Sequence, residues 1–460
     1  MSTAVSAPFP GLRATFANPS ACVPLATAAH ELVRELYPIC RSITGNGVRA
    51  TLDRLGEIVP LQRFEVPSGT PVFDWEVPAE WNVREAWVRD PSGRKVVNFA
   101  DHSLHLVSYS VPFRGRVSLE ELKQHLHSLP QHPDWIPYRT SYYREYWGFC
   151  MRHRDLERLP PGEYEVCVDT TLQPGHLSYA EATVRGTTDR EVLIYTHTCH
   201  PSLANDNLAG MTLTAMLARE LSRIPRRLSY RIVFGPGTIG SLTWLAANET
   251  ELKRIDHGLV LGLLGDPGSL TYKESRNGTA MVDRVARHVL KHLDTGTGPR
   301  ARVVEFEPYG YDERQFCSPG FDLPVGRLTR SANGAYPEYH SSADNPDLLT
   351  VPAMAESLYA AMCIVDVLEA NRVCVNLSPK GEPRLGKRGL YGSLGGPPPG
   401  EFENAVRWVL NQSDGSRDLL AIADRAALPF EVVALAADAL EKVGLLRTRW
   451  PEDSTTGDTP

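Results

Sequence analysis

The sequence has no two cysteines at CxxC spacing, although eight cysteines, among them Cys22, Cys40, Cys150, Cys167 and Cys374, are scattered along its 460 residues. Such scatter favours free thiols in a reducing compartment, and a cytoplasmic location is expected. Also missing is a basic start followed by an apolar core: the opening MSTAVSAPFPGLRATFANPS is no signal peptide and reads as a loosely ordered lead-in. No run approaches the roughly eighteen apolar residues of a membrane span, so no membrane partner is expected. Excess charge is absent too. A net charge of −7 gives nothing global to attract nucleic acid or an acidic membrane, and it leaves a small neutral or zwitterionic substrate open.

What is present is length enough for two or three domains. Leu32, Val33, Leu36 and Tyr37 recur at helical spacing over 28–39, and a second helix runs through Leu52 and Leu55. From Tyr179 strands and helices alternate. Strands are expected near 183 and at 192–195, 230–234, 258–264 and 303–306, with helices at 211–221, 241–252, 282–293 and 353–370. The fold class implied is α/β, a mixed, largely parallel sheet sandwiched by helices.

Two other regions differ in composition. Residues 64–167 are rich in Trp, Tyr, Pro and short alternating runs, a β-rich domain inserted into a main domain of 28–63 plus 168–385. Inside it, Trp135-Ile136-Pro137-Tyr138-Arg139-Thr140-Ser141-Tyr142-Tyr143 is either an aromatic wall over a cleft or the insert's own core. After Asn376 a Gly- and Pro-dense linker leads to a winged helix-turn-helix module over 386–450, with helices at 401–410, 417–425 and 429–443 and a wing strand starting near Leu445. Its last helix carries Glu431, Asp438 and Glu441, so a basic reading face is missing; packing or oligomerisation suits it better than DNA.

Metal-capable groups gather where strands end. The stretch VLIYTHTCHPSLANDNLAG puts His197, Cys199, His200 and Asp206 within ten residues behind a short apolar strand, the place where open α/β sheets bind ligands. Asp266 follows the next apolar run at a Gly- and Pro-rich break, and His340 precedes the last long helix. Tyr311, Asp312, Glu313 and Arg314 crowd a loop between them. One His and two carboxylates leave a zinc ion an open position for water or substrate, and His340, Asp206 and Asp266 meet that description. If Asp206 bridged, His197 or His200 would begin a second site, and paired metals stabilise both attacking and leaving groups. Singly, each residue is equally well read as a cap or a satisfied loop residue, and Cys199 as a buried small side chain; the joint recurrence at successive strand ends carries the argument. Arg314 and Tyr311 either hold a substrate carboxylate or amide or belong to a surface salt bridge.

The order of these motifs resembles the zinc aminopeptidases of the M28 type. More closely, HTCHPSLANDNLAG, GDPGSLTYK, PYGYDERQFCSPGFDLPVGRL and PEYHSSADN resemble a bacterial family of aminopeptidase-like proteins with an inserted β-rich domain and a C-terminal winged helix, over about 32–446. The resemblance implies that Asp206 is the bridging carboxylate, Asp266 the strand-end ligand and His340 the last His ligand. His197 falls at the first ligand position, with Cys199 replacing an orienting Asp and His200 as the alternative ligand. One departure stands out. That family carries Pro-Glu-Thr-Ile-Gly-Ser where this chain has Pro236-Gly237-Thr238-Ile239-Gly240-Ser241, and no Asp or Glu lies between Glu220 and Glu249. The absent carboxylate is a metal ligand or the general base, and losing a base lowers a rate roughly 10²–10⁴-fold.

The resemblance therefore implies a zinc-dependent aminopeptidase-like hydrolase with one or two ions, acting on an amide bond of a small amino-acyl or peptide-like substrate, with Glu313 helping the water. Two further readings follow from Gly237: a retooled enzyme of a specialised biosynthetic pathway, or a non-catalytic binding module. The expected partner is the small-molecule or peptide-like substrate, with a homo-oligomer as a further option.

Overall fold

The computed structural model describes residues 11–293, 300–332, 334–390 and 400–450. The strands of its main sheet are, in chain order, β1 (Gln62–Pro67), β2 (His176–Val184), β3 (Glu191–His197), β4 (Ser229–Gly235), β5 (Ile255–Leu261), β6 (Thr271–Lys273), β7 (Arg302–Val304) and β8 (Val325–Thr329). They lie side by side in the order β1-β2-β4-β3-β5-β8-β6-β7. The middle four, β4, β3, β5 and β8, are mutually parallel. Antiparallel pairings flank them: β2 on β4, β1 on β2, and β6 on β8.

Strand β3 is the most enclosed, with every residue from Glu191 to His197 buried. Its apolar run alternates between two cores, as a strand with both faces covered must. Val192 and Ile194 pack with helices α1 (Val23–Leu36), α3 (Gly210–Leu221) and α6 (Val351–Ala370). Leu193 and Tyr195 pack on the other face with α4 (Ile239–Asn248) and with Trp81, Val88, Phe149 and Val166 of the insert. The α6 helix is long and apolar enough to cross a membrane, yet it is the buried centre of the first core.

The insert contributes a four-stranded antiparallel sheet in the order Lys95–Asn98, Glu80–Arg89, Glu163–Gln173, Phe113–Ser118. Residues 64–67 at its expected start run instead in β1, at the edge of the main sheet.

At the C-terminus, Val373–Asn376 pairs with Asp414–Asp418 on one side and with the wing strand Leu446–Arg449 on the other. Helices Glu401–Gln412, Leu419–Ala426 and Phe430–Lys442 pack beside this small sheet. The middle helix starts two residues later than the sequence suggests. Arg417 is held in the strand, and Asp418 caps the helix by accepting the Ala421 N–H at 2.7 Å. Part of the expected linker, 391–399, lies outside the described residues.

The lead-in is not loose from Leu12 onward. Asp366 accepts the Leu12 and Arg13 N–H groups at 2.8 Å each, and Leu12, Phe16 and Cys22 are buried against the first core. The missing periodicity hid this, because two short 3-10 turns dock through a few apolar contacts and one carboxylate on a distant helix.

Candidate metal centre

The centre forms where β3 ends at His197. The chain leaves the strand through His200 and Ser202, both left-handed (φ 70° and 43°), and turns back so that Asp206 faces the strand end. The two asparagines around Asp206 tie this turn down. Asn205 donates to Asp266 at 2.9 Å and accepts the Gly265 N–H at 2.9 Å. Asn207 donates to the Thr196 hydroxyl at 2.9 Å and accepts the Leu263 N–H at 3.0 Å. Asp344 accepts the backbone N–H groups of Asn205 at 2.6 Å and Asp206 at 3.0 Å. The Asp between the asparagines is thereby left for the site.

Asp206 is the hub. Its Oδ1 lies 2.7 Å from His197 Nε2 and its Oδ2 3.0 Å from His340 Nε2, and the Tyr311 hydroxyl donates to Oδ2 at 2.9 Å. His200 completes the group: ligand atoms of His197, His200 and Asp206 lie within 4.8 Å of one another, so these residues are placed to hold a metal ion. Burial opposes ionising Asp206, but His200 and the bonds from His197 and His340 outweigh it and hold the carboxyl well below its ordinary range. Burial drives the His200 pKa down to about 3, against the pull of Asp206. Tyr311, pushed well up by burial and by Asp206, stays a phenol and a donor.

Rings enclose the imidazoles. Tyr311 stacks on His197 with centres 4.2 Å apart, and Tyr339 on His340 at 3.9 Å. Tyr138 meets His200 and His340 edge-on at 5.0 and 5.1 Å. The aromatic run of the insert is therefore a wall of this centre, at least through Tyr138. Among the four clustered residues His340 is the most exposed, its side chain at 30%, while the side chains of His197 and Asp206 are at 1% and 0%.

The other sequence candidates fall differently. Asp266 is not gathered with Asp206 and His340: its carboxylate is taken by Asn205, by the Gly268 N–H at 2.8 Å and by the Ser331 hydroxyl at 2.6 Å. The residue at the end of β5 that faces the cluster is Gly262, whose Cβ position would be 3.4 Å from His197 Cε1. Leu263 then turns left-handed (φ 54°) and carries Asp266 into its own loop. Glu313 does not face the centre either. It is wholly buried in an ion pair with Lys273 at 2.9 Å, with Arg327 at 3.6 Å, and these cations, against the opposing effect of burial, keep its pKa low. Arg314 is half-buried with its Nε unpartnered.

Asp312 is the unusual member. It is fully buried, and the hydroxyls of Tyr195 and Ser241 are the hydrogen-bonding groups that flank it, neither in close hydrogen-bond geometry. Burial pushes its pKa up to about 7, only partly offset by His197. A Cβ at Gly237 would sit 3.1 Å from Asp312 Oδ2 and 3.2 Å from His197 Cβ, so the corner where a carboxylate is missing is where Asp312 ends.

The sequence left open whether Tyr138 lies over a cleft or in the insert's core, and it did not single out Tyr339 or Asp344 as parts of the centre. Tyr339 and Asp344 stand in the same motif as His340, which was signal enough for proximity; nothing in the sequence tells which Tyr of the insert's aromatic run reaches the imidazoles.

Residues 30–371 match the family described as a domain of unknown function, DUF4910, and 372–448 match the winged helix-turn-helix family. A protein of Clostridium acetobutylicum, provisionally described as a polysaccharide biosynthesis protein with an aminopeptidase-like domain, is 46% identical over 419 residues, 91% of this chain and 95% of its own. The crystal structure of a provisionally assigned peptidase from Clostridium acetobutylicum superposes with a TM-score of 0.88 at 44% identity, covering 94% of this chain and 98% of that one. The fold is shared more distantly with a zinc aminopeptidase of Bacillus subtilis, at a TM-score of 0.52 and 14% identity over 73% of this chain and 93% of that one. An M28 peptidase precursor of Shewanella amazonensis gives 0.51 at 14% identity, over 77% and 97%. The chain belongs to the DUF4910 family, with an M28-type aminopeptidase-like fold followed by a C-terminal winged helix.

Proposed function

We propose that this chain is a metal-dependent hydrolase of aminopeptidase type that holds zinc through three of His197, His200, Asp206 and His340, leaving one coordination position for water or substrate, and acts on an amide bond of a small amino-acyl or peptide-like substrate. The observation that carries this is Asp206, ionised in full burial between two imidazoles with a third alongside. Imidazoles together with one carboxylate suit zinc by donor type. Bound there, the ion would polarise a carbonyl and ease loss of a proton from water. The rest falls to the chain. The Tyr311 hydroxyl, already directed at Asp206, is a donor beside the scissile group. Asp312 is the proton acceptor nearest the bare corner at Gly237, with a pKa close to working pH. Glu313, occupied by Lys273, has no such part.

Gly237 and the Clostridium relative's description favour a second reading, in which the same centre serves a biosynthetic step on an amide-bearing sugar or peptide precursor. The free thiols suit a cytoplasmic setting. Nucleic acid is not a partner in this reading, because the last helix carries Glu431, Asp438 and Glu441 against a single basic residue, Lys442.

Zinc analysis of the purified full-length protein, with assays on aminoacyl-anilides, dipeptides and N-acylated amino sugars, tests the proposal. One equivalent of zinc and turnover of an amide are expected; a metal-free protein with full activity would sink it. Gly237→Glu separates the readings. A gain of aminopeptidase activity marks a scaffold that has specifically given it up, and turnover of N-acyl sugars by wild type alone marks the biosynthetic one.

A further inference from the structure

Where the inserted domain meets the residues that carry His340, it does so by backbone pairing as well as by side chains. Tyr138 N–H donates to the His340 carbonyl at 2.8 Å, Ser342 N–H donates to the Ile136 carbonyl at 2.8 Å, and Ile136 N–H donates to the Ser342 hydroxyl at 2.9 Å. Pro137 and Ser341 face each other between these bonds in an antiparallel bridge. Strap 136–138 thus pairs with the very residues that carry His340.

His340 needs such support. It is left-handed at φ 57°, a conformation that is unfavourable for a non-glycine residue and persists only where its surroundings hold it. The imidazole is gripped on two sides, by the face of Tyr339 and the edge of Tyr138. Tyr138 is itself fixed, its hydroxyl 2.9 Å from that of Tyr142. The strap is anchored in turn by the Ser108 N–H to the Arg139 carbonyl and the Ser141 N–H to the Ser108 carbonyl, 2.9 Å each.

We propose that the inserted domain is a working part of the metal centre: strap 136–138 sets the backbone and ring of His340, with Tyr138 as its positioning residue, and walls the cluster so that substrate enters only along the His340 edge. Tyr138 touches the ring edges of two imidazoles without offering a ligand atom, which is how an outer partner orients a ligand. The inference rests on the metal-centre reading for its consequence, though the positioning itself is independent of metal.

The test uses the full chain labelled at histidine ring carbons. In metal-free protein, Tyr138→Ala should shift the Cε1 resonance of His340, assigned by its loss in His340→Gln, and leave that of His292 in place. Ser342→Ala, which removes only one strap bond, should shift it less, and Tyr138→Phe should restore the wild-type position. In the zinc-loaded protein, Tyr138→Ala should weaken the metal Kd roughly 10- to 100-fold and Tyr138→Phe hardly at all. An unmoved His340 resonance in both Tyr138→Ala and Ser342→Ala overturns the positioning role. A wild type that binds no zinc defeats the metal reading instead, while the resonance still decides the strap.

Discussion

Two buried carboxylates a few residues of space apart are treated in opposite ways. Asp206 is wholly enclosed, yet it receives Tyr311 and two imidazoles and is held ionised. Asp312, equally enclosed, has only the flanking Tyr195 and Ser241 hydroxyls, neither in close geometry, and its pKa rises to about 7. Burial pushes both upward, so the difference lies in what each faces. Asp206 looks into the imidazoles, whereas Asp312 looks into the corner vacated by a side chain at Gly237. Glu313, the next residue, is a third case: buried as deeply, but neutralised by Lys273. Of these three, Asp206 is committed to the imidazoles and Glu313 to Lys273, and Asp312 is the one whose pKa is raised to near neutrality.

Asp206→Ala breaks the comparison most severely. Removing the partner of buried imidazoles should lower the stability of metal-free protein by about 3–5 kcal/mol and abolish zinc binding. Urea unfolding and zinc analysis check this; unchanged stability would mean Asp206 is not paired as its geometry says.

Asp312→Asn sharpens it. The unfolded carboxyl loses its proton near 3.8, while the folded one keeps it to about 7. Between these values the folded state binds more protons, so stability falls as pH rises, and the whole loss is present above about 7. The variant lacks this slope and should exceed wild type by on the order of 4 kcal/mol at pH 8, with little difference at pH 4. Urea midpoints at the two pH values read it directly. A parallel pH slope in both proteins would show Asp312 to be ionised.

Glu313→Gln should cost roughly 2 kcal/mol by stranding Lys273, with zinc stoichiometry unchanged. Loss of zinc with no loss of stability would return Glu313 to the metal centre. The smallest effect is expected far away. Arg13→Ala removes an ion pair with Glu431 at 2.8 Å whose side chains are 27% and 42% exposed, and should cost about 0.5–1 kcal/mol in thermal unfolding. A much larger drop would make the lead-in a main tie between the winged helix and the rest.

Much of this was legible in the chain itself. The apolar run 192–195 with His197 behind it, the Asn-Asp-Asn turn and Tyr-His before the last helix all stand where their local patterns put them, because a buried parallel strand requires such a run and ligands collect at its end. The inserted sheet and the three C-terminal helices were equally visible as changes in composition and periodicity. Asp266 misled for a local reason: one left-handed residue, Leu263, turns it from the strand axis, and its carboxylate serves Asn205 and Ser331. Glu313 misled because its partners, Lys273 and Arg327, come from strands 40 residues before and 14 after it, and no spacing rule connects them.

The sequence by itself thus determined the sheet, the Asp206 turn and the missing carboxylate at Gly237, since each depends on residues near one another in the chain. Only the tertiary structure decided that Asp206 meets His340, that Asp312 fills the corner beside Gly237, and that Tyr138 walls the centre. Those are contacts between segments separated by 75 to more than 200 residues, and their partners are chosen by how the layers pack rather than by any local preference.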